Sequence, residues 1–133
     1  MKIKSKLLVL SFLAIIIVSC DPPHYIDFVN NSNSIVKVKL NLNSKVESYR
    51  LKEIATGDSI VFNLKQKDTA NIHFGIGSWS DAKIDELTKS IESIEIDTRE
   101  IKTTYKTKSS IKTLLQNNRH GAFFKSKIEI KIQ

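Results

Sequence analysis

The sequence predicts a mainly β domain, an antiparallel β-sandwich-like fold carrying two short α-helices. Three observations predict it. Apolar and polar residues alternate at period two in short segments from Tyr25 onward, as strands with one wet face require. Clusters of Asn, Ser, Asp and Gly separate those segments at regular intervals, the spacing of a sandwich or small barrel. Only two segments change to helical spacing.

Tyr25-Ile26-Asp27-Phe28-Val29 reads as the first strand. Asn30-Asn31-Ser32-Asn33-Ser34 is a turn, because short polar side chains bond their own backbone. Ile35 to Leu42 alternates cleanly, and Asn43-Ser44 turns the chain. Val46 to Ile54 is less regular and reads as a weaker strand. Ser59 to Leu64 and Ala70 to Gly75 follow as strands, bounded by Thr56-Gly57-Asp58 and Lys65-Gln66-Lys67-Asp68. Ile84, Leu87 and Ile91 have helical spacing after Ser78 and Ser80, either of which can cap, with Asp81 suiting the positive end of the helix dipole. Ile94-Glu95-Ile96 and Ile101 to Tyr105 form a hairpin pair. Ile111, Leu114 and Leu115 mark a second helix, capped by a serine at 109 or 110, with Gly121 ending it or the turn beyond. Lys127 to Ile132 alternates without a break, so Ile128, Ile130 and Ile132 should share the core face.

The N-terminus has a different character. Lys2, Lys4 and Lys6 precede an uncharged, mostly apolar run from Leu7 to Val18. That run is too short to span a bilayer, which needs roughly 20 apolar residues, but it suits a secretory signal. Ile17-Val18-Ser19-Cys20 resembles the lipobox of bacterial lipoproteins. The resemblance implies cleavage between Ser19 and Cys20 and lipid on Cys20, hence a membrane partner through the anchor. Residues 1–19 are then the signal peptide, 20–24 a lipidated tether stiffened by Pro22-Pro23, and 25–133 a single domain. Taking 19 residues from 133 leaves 114, enough for a self-sufficient core. Cys20 is the one cysteine, so no internal disulfide forms.

Cys20-Asp21, the first strand and the Asn/Ser turn also resemble small lipoproteins of Bacteroides-type bacteria, most of them without an assigned function. In that group an acidic cluster after the cysteine directs display at the surface. Only Asp21 follows here, so the expected location is the outer membrane facing the periplasm, with surface exposure as the alternative. The resemblance also implies O-glycosylation at Ser59 and Thr69, within Asp58-Ser59-Ile60 and Asp68-Thr69-Ala70.

Charge is unevenly spread. Residues 20–98 hold 9 basic and 12 acidic side chains, whereas 99–133 hold 9 basic and 2 acidic, so the second segment is where an anionic partner would bind. Lys102, Lys106, Lys108, Lys112 and Arg119 are the candidate patch, for acidic headgroups or polysaccharide. A Lys-, Ile- and Asn-rich composition, as AT-rich genomes encode, also accounts for many of these lysines. Nucleic acid is a poor partner for an exported chain.

Signals for catalysis are weak. Gly75-Ile76-Gly77-Ser78-Trp79-Ser80 lacks the third glycine of a dinucleotide fingerprint and has no βαβ context. It reads instead as a connection that packs Trp79 over the core. His24, His73 and His120 lie far apart, unlike zinc ligands, and His24 falls in the tether. No nucleophile elbow is present. No catalytic residue, metal or cofactor is predicted. The expected role is a non-catalytic binding or accessory module at a membrane, acting on an envelope protein or glycan. A small envelope enzyme acting on glycan or peptide, or a structural subunit of an envelope complex, are the alternatives.

Overall fold

Residues 22–46, 48–121 and 123–133 are described by a computed structural model. Among them eight strands and three helices form, in the order β1 (Pro23–Asn30), β2 (Val36–Leu42), α1 (Tyr49–Ile54), β3 (Ser59–Leu64), β4 (Thr69–Ile76), α2 (Asp81–Ser90), β5 (Ile91–Asp97), β6 (Lys102–Tyr105), α3 (Lys108–Asn117), β7 (Arg119–His120) and β8 (Lys127–Ile132). The strands make two four-stranded sheets, ordered β4-β1-β8-β7 and β3-β2-β5-β6. The fold is mainly β and sandwich-like. Ser19 and Cys20, with the predicted signal peptide, lie outside the described residues.

The alternation sets which faces meet. Ile26 and Phe28 of β1, Ala70 and Ile72 of β4, and Ile128, Ile130 and Ile132 of β8 are buried. Val36, Val38, Leu40 and Leu42 of β2, Ile60 and Leu64 of β3, and Ile94 and Ile96 of β5 are buried from the other sheet. Helices α2 and α3 pack on each other and add Ile84, Leu87, Ile111 and Leu115 to the same core. Helix α3 touches both β5 and β8, so it joins the two sheets along one side.

Polar groups on the outer faces are paired across strands. On the first sheet the Asn71 amide donates to Asp27 at 2.7 Å, and Glu129 takes ion pairs from Lys127 and, at 3.2 Å, from Lys131. The Lys127 ammonium holds the Glu129 carboxyl below its usual range, and Glu129 in turn raises Lys127. On the second sheet Asn41 donates to Ser93 and Glu95, and Lys102 reaches Glu95 at 2.8 Å.

One buried side chain ties the sheets together. Asn30, with no exposed surface, donates from its amide nitrogen to the carbonyls of Ser34, Leu64 and Lys65 at 2.8, 3.0 and 3.0 Å. Its Oδ1 accepts from the Ser32 N–H and hydroxyl. The end of β1 is thereby fastened to the end of β3, which belongs to the other sheet, with both lone-pair and N–H capacity used.

Four sequence expectations change. First, β1 and β8 pair in parallel, with Ile26 opposite Ile128 and Phe28 opposite Ile130, so the first sheet is mixed rather than antiparallel. Second, the weak strand expected over 46–54 contains a third helix, α1. Only Leu51 of that helix is buried, and a single buried side chain leaves no period to read. Third, α3 is capped by Thr107, whose hydroxyl accepts from the Ser110 N–H at 3.0 Å, not by a serine. Fourth, Pro23 and His24, expected in the tether, already belong to β1. The caps of α2 and the β5–β6 hairpin agree with the sequence reading.

The last strand gives a direct test of register. Ile130 is 4% exposed, while Lys131 on the opposite face is exposed. Ile130→Ala should cost about 2–4 kcal/mol, and Lys131→Ala less than about 0.5 kcal/mol. Denaturant melts of the two variants measure the difference, and equal, small effects would show that β8 is peripheral.

Candidate functional site

A hollow with a partly apolar floor opens beside the start of β1. It encloses about 310 Å³ and is lined by His24 of β1, Phe74 and Ile76 of β4, Trp79 of the β4–α2 connection, Lys83, Glu86 and Leu87 of α2, and Ser48, Tyr49 and Arg50 at α1. A volume of that order can take a small ligand. Each wall follows from the chain. His24 shares the parity of Ile26 and Phe28, so the alternation of β1 turns it inward. The β1–β4 register shifts between Pro23 and Tyr25, next to His24, an irregularity of the kind that re-aims a side chain. Gly75 and Gly77 take φ of +98° and +139°, and these conformations turn the chain off β4 into α2. Trp79 is brought under that turn, where its indole N–H donates to the Tyr25 carbonyl at 3.0 Å.

His24, Phe74 and Trp79 form an aromatic cluster. The imidazole centroid lies 3.9 Å from the indole and 5.9 Å from the Phe74 ring, and the Phe74 and Trp79 rings meet edge to face at 5.1 Å. His24 is 6% exposed, and its Nε2 is buried with no partner among the described residues. Burial, then the positive charges of Lys83 and His73, lowers the His24 pKa from 6.5 to about 4. The ring is therefore neutral at neutral pH. The cavity offers an apolar, aromatic floor, one neutral imidazole and a charged rim of Arg50, Lys83 and Glu86. Arg50 already pairs with Glu53 at 2.9 Å. A larger hollow of about 500 Å³ lies between the 31–34 turn, the β5–β6 turn and Gln133. It is walled by polar side chains and holds none of the buried, partnerless atoms, so the His24 cavity is the stronger candidate.

The residues singled out from sequence are scattered. Lys102 is paired with Glu95, Lys112 with Asp85 at 2.7 Å, and Arg119 with Asp81 at 2.9 Å. Lys106 and Lys108 are exposed at the start of α3. Three of the five cations thus have a carboxylate partner within the protein, and the segment does not present one open cationic face. Arg119 also donates to the Trp79 carbonyl, which makes it a brace between β7 and the cavity wall. Thr69 is exposed at the start of β4, whereas Ser59 is half-buried at the start of β3. No group of three potential metal ligands occurs among the described residues. Sequence reading placed His24 in the tether and so missed the cavity. The signal was there in its even position, two residues before Ile26, but consecutive prolines obscured it. Compared with known proteins, the chain matches no family model, no curated protein and no solved structure.

His24 couples the cavity to pH. Its folded pKa, about 4, lies below the unfolded value near 6.5. The unfolded chain therefore binds the proton first, and stability present above pH 6.5 is lost as the pH falls toward 4. The full shift corresponds to about 3 kcal/mol, an upper bound because the cavity is open to water. Urea melts at pH 7.5 and pH 4.5 should show this loss in the wild type and a smaller one in His24→Phe. Identical pH dependence in both would mean that His24 is not the group responsible.

Proposed function

We propose that the protein is a lipid-anchored component of a bacterial cell envelope, held through Cys20 at the outer membrane facing the periplasm, and that it acts as a non-catalytic binding module. The anchoring reading rests on Lys2, Lys4 and Lys6, the apolar run to Val18, and Ser19-Cys20. Among the described residues no helix is long and apolar enough to cross a membrane. The observation that carries the binding reading is the aromatic-floored cavity with the buried, partnerless His24 Nε2. An unsatisfied buried polar atom costs about 1–3 kcal/mol, and a ligand that turns the His24 ring toward the hollow would recover it by hydrogen bonding to that Nε2. A small ligand with an apolar or planar body fits the floor, and Lys83 suits an acidic group on it. Binding is favoured over catalysis because the His24 Nε2 meets no carboxylate, so the ring has no partner to orient it for proton transfer. An envelope glycan or the side chain of an envelope protein are the ligand classes that this chemistry admits.

Two measurements test the reading. Mass spectrometry of protein extracted from membranes should find Cys20 as an acylated N-terminus, and a free Cys20 thiol would overturn the anchoring. Trp79 is the one tryptophan and stands in the cavity wall, so its emission reports occupancy. Titration with short saccharides and with amphiphilic acids should change that emission saturably for at least one class. Ile76→Glu, at a site 69% exposed and therefore tolerant, should weaken the effect about tenfold or more. A non-saturable response, or one that Ile76→Glu leaves unchanged, would remove the cavity as the binding site.

A further inference from the structure

We infer that the end of the molecule around Pro22 docks flat on a lipid surface through the aromatic turn at residues 123–126, led by Phe123 and Phe124. The inference rests on the anchoring reading and adds to it a second, non-covalent contact. Phe123 is 96% exposed and Phe124 56% exposed, the largest aromatic pair that the fold leaves open to water. Such a pair has no role in the core, and exposed clustered aromatics mark a contact surface.

The loop is held firmly rather than hanging free. The Trp79 N–H donates to the Lys125 carbonyl, the Tyr25 N–H to the Ser126 carbonyl at 3.1 Å, and the Ser126 N–H to the Phe124 carbonyl. At Gly121, φ is +141° and a Cβ would fall 1.8 Å from the Phe124 carbonyl oxygen, so the turn closes only on glycine. The two phenyl groups are therefore carried outward on a braced turn.

The position of the chain terminus identifies the occupant. Gly77 N–H donates to the Pro22 carbonyl at 3.0 Å, and Trp79, two residues on, donates to the loop. The described chain thus begins at the end of the molecule that carries the 123–126 turn, with Ile76 (69% exposed) and Tyr49 (72% exposed). Only two peptide steps separate Pro22 from Cys20, a reach of at most about 7 Å. A lipid on Cys20 brings this end to the headgroups. Lys125 and Lys83 stand there with no acidic partner among the described ion pairs, so both are free to face anionic headgroups. Phenyl groups at the headgroup level, flanked by lysines, match the way interfacial segments bind.

The test uses the lipoprotein reconstituted in vesicles of phosphatidylethanolamine and phosphatidylglycerol, with or without brominated acyl chains. Phe123→Trp places an indole on the loop tip, and Trp79 alone gives the background. The introduced indole should lose at least half of its emission to bromine. An indole introduced by Ile35→Trp, beyond the far end of β1, should lose none. Adding Phe124→Ser and Lys125→Ser to Phe123→Trp should reduce the quenching severalfold. An indole at position 123 that is unquenched by bromine but open to iodide overturns the inference. So does a cross-linked dimer that Phe124→Ser abolishes while bromine has no effect, since the occupant is then a second copy. The mass of Cys20 separates the two readings. If Cys20 carries no lipid, the anchoring fails, and the same chain added to preformed vesicles still decides the docking by whether bromine quenches the indole at position 123.

Discussion

The parallel pairing of β1 with β8 is the constraint from which most of the architecture follows. It sets Ile26 against Ile128 and Phe28 against Ile130, which makes the center of the first sheet a joint between positions far apart in the chain. The pair is fastened at both ends, by Tyr25 N–H to the Ser126 carbonyl and by Asn31 N–H to the Ile132 carbonyl. Without β8 the short β7 has no neighbour, and α3 loses one of the two strands it spans. Closing so long a loop costs entropy before any contact repays it. The β1–β8 joint closes a longer loop than the β2–β5 joint at the centre of the second sheet, so it is expected to form later in folding.

Between the facing surfaces of the two sheets, apolar side chains do most of the meeting, and Asn30 is the buried polar side chain that ties the end of β1 to the end of β3. Apolar burial supplies most of the driving force but little direction. Asn30 supplies direction, because its amide finds all its partners only when β1, the 31–34 turn and the end of β3 stand in one arrangement. Outer-face pairs such as Asp27–Asn71 and Asn41–Glu95 add register between neighbouring strands. Each such pair contributes modestly alone, but together they distinguish the observed register from its neighbours.

At the opposite end of β1, polar closure gives way to aromatic packing. His24, Phe74 and Trp79 pack under the β4–α2 turn, Arg119 braces Trp79, and the 123–126 turn is held to the same tryptophan through the Lys125 carbonyl. The cavity and the exposed phenyl groups are thus two products of one local arrangement. A ligand in the cavity and a surface under Phe123 would both be sensed by Trp79, which is why that residue and the loop tip need separate probes.

The sequence by itself determined the β class, nearly every strand, a serine cap for α2 at 78 or 80 and the inward face of β8. Period two and the turn residues are local properties, readable from neighbours alone. Ile128, Ile130 and Ile132 needed no partner to be recognised as a core face. Tertiary structure alone decided the parallel β1–β8 joint, since strand direction depends on which distant segment arrives alongside. It also decided α1, whose single buried residue leaves no pattern, and the neutralisation of Lys102, Lys112 and Arg119, whose carboxylates come from other elements. The cavity belongs to the same class. Its residues come from β1, β4, the β4–α2 connection, α1 and α2, and no stretch of sequence holds enough of them to show that a neutral histidine, two aromatic rings and a lysine would share one hollow.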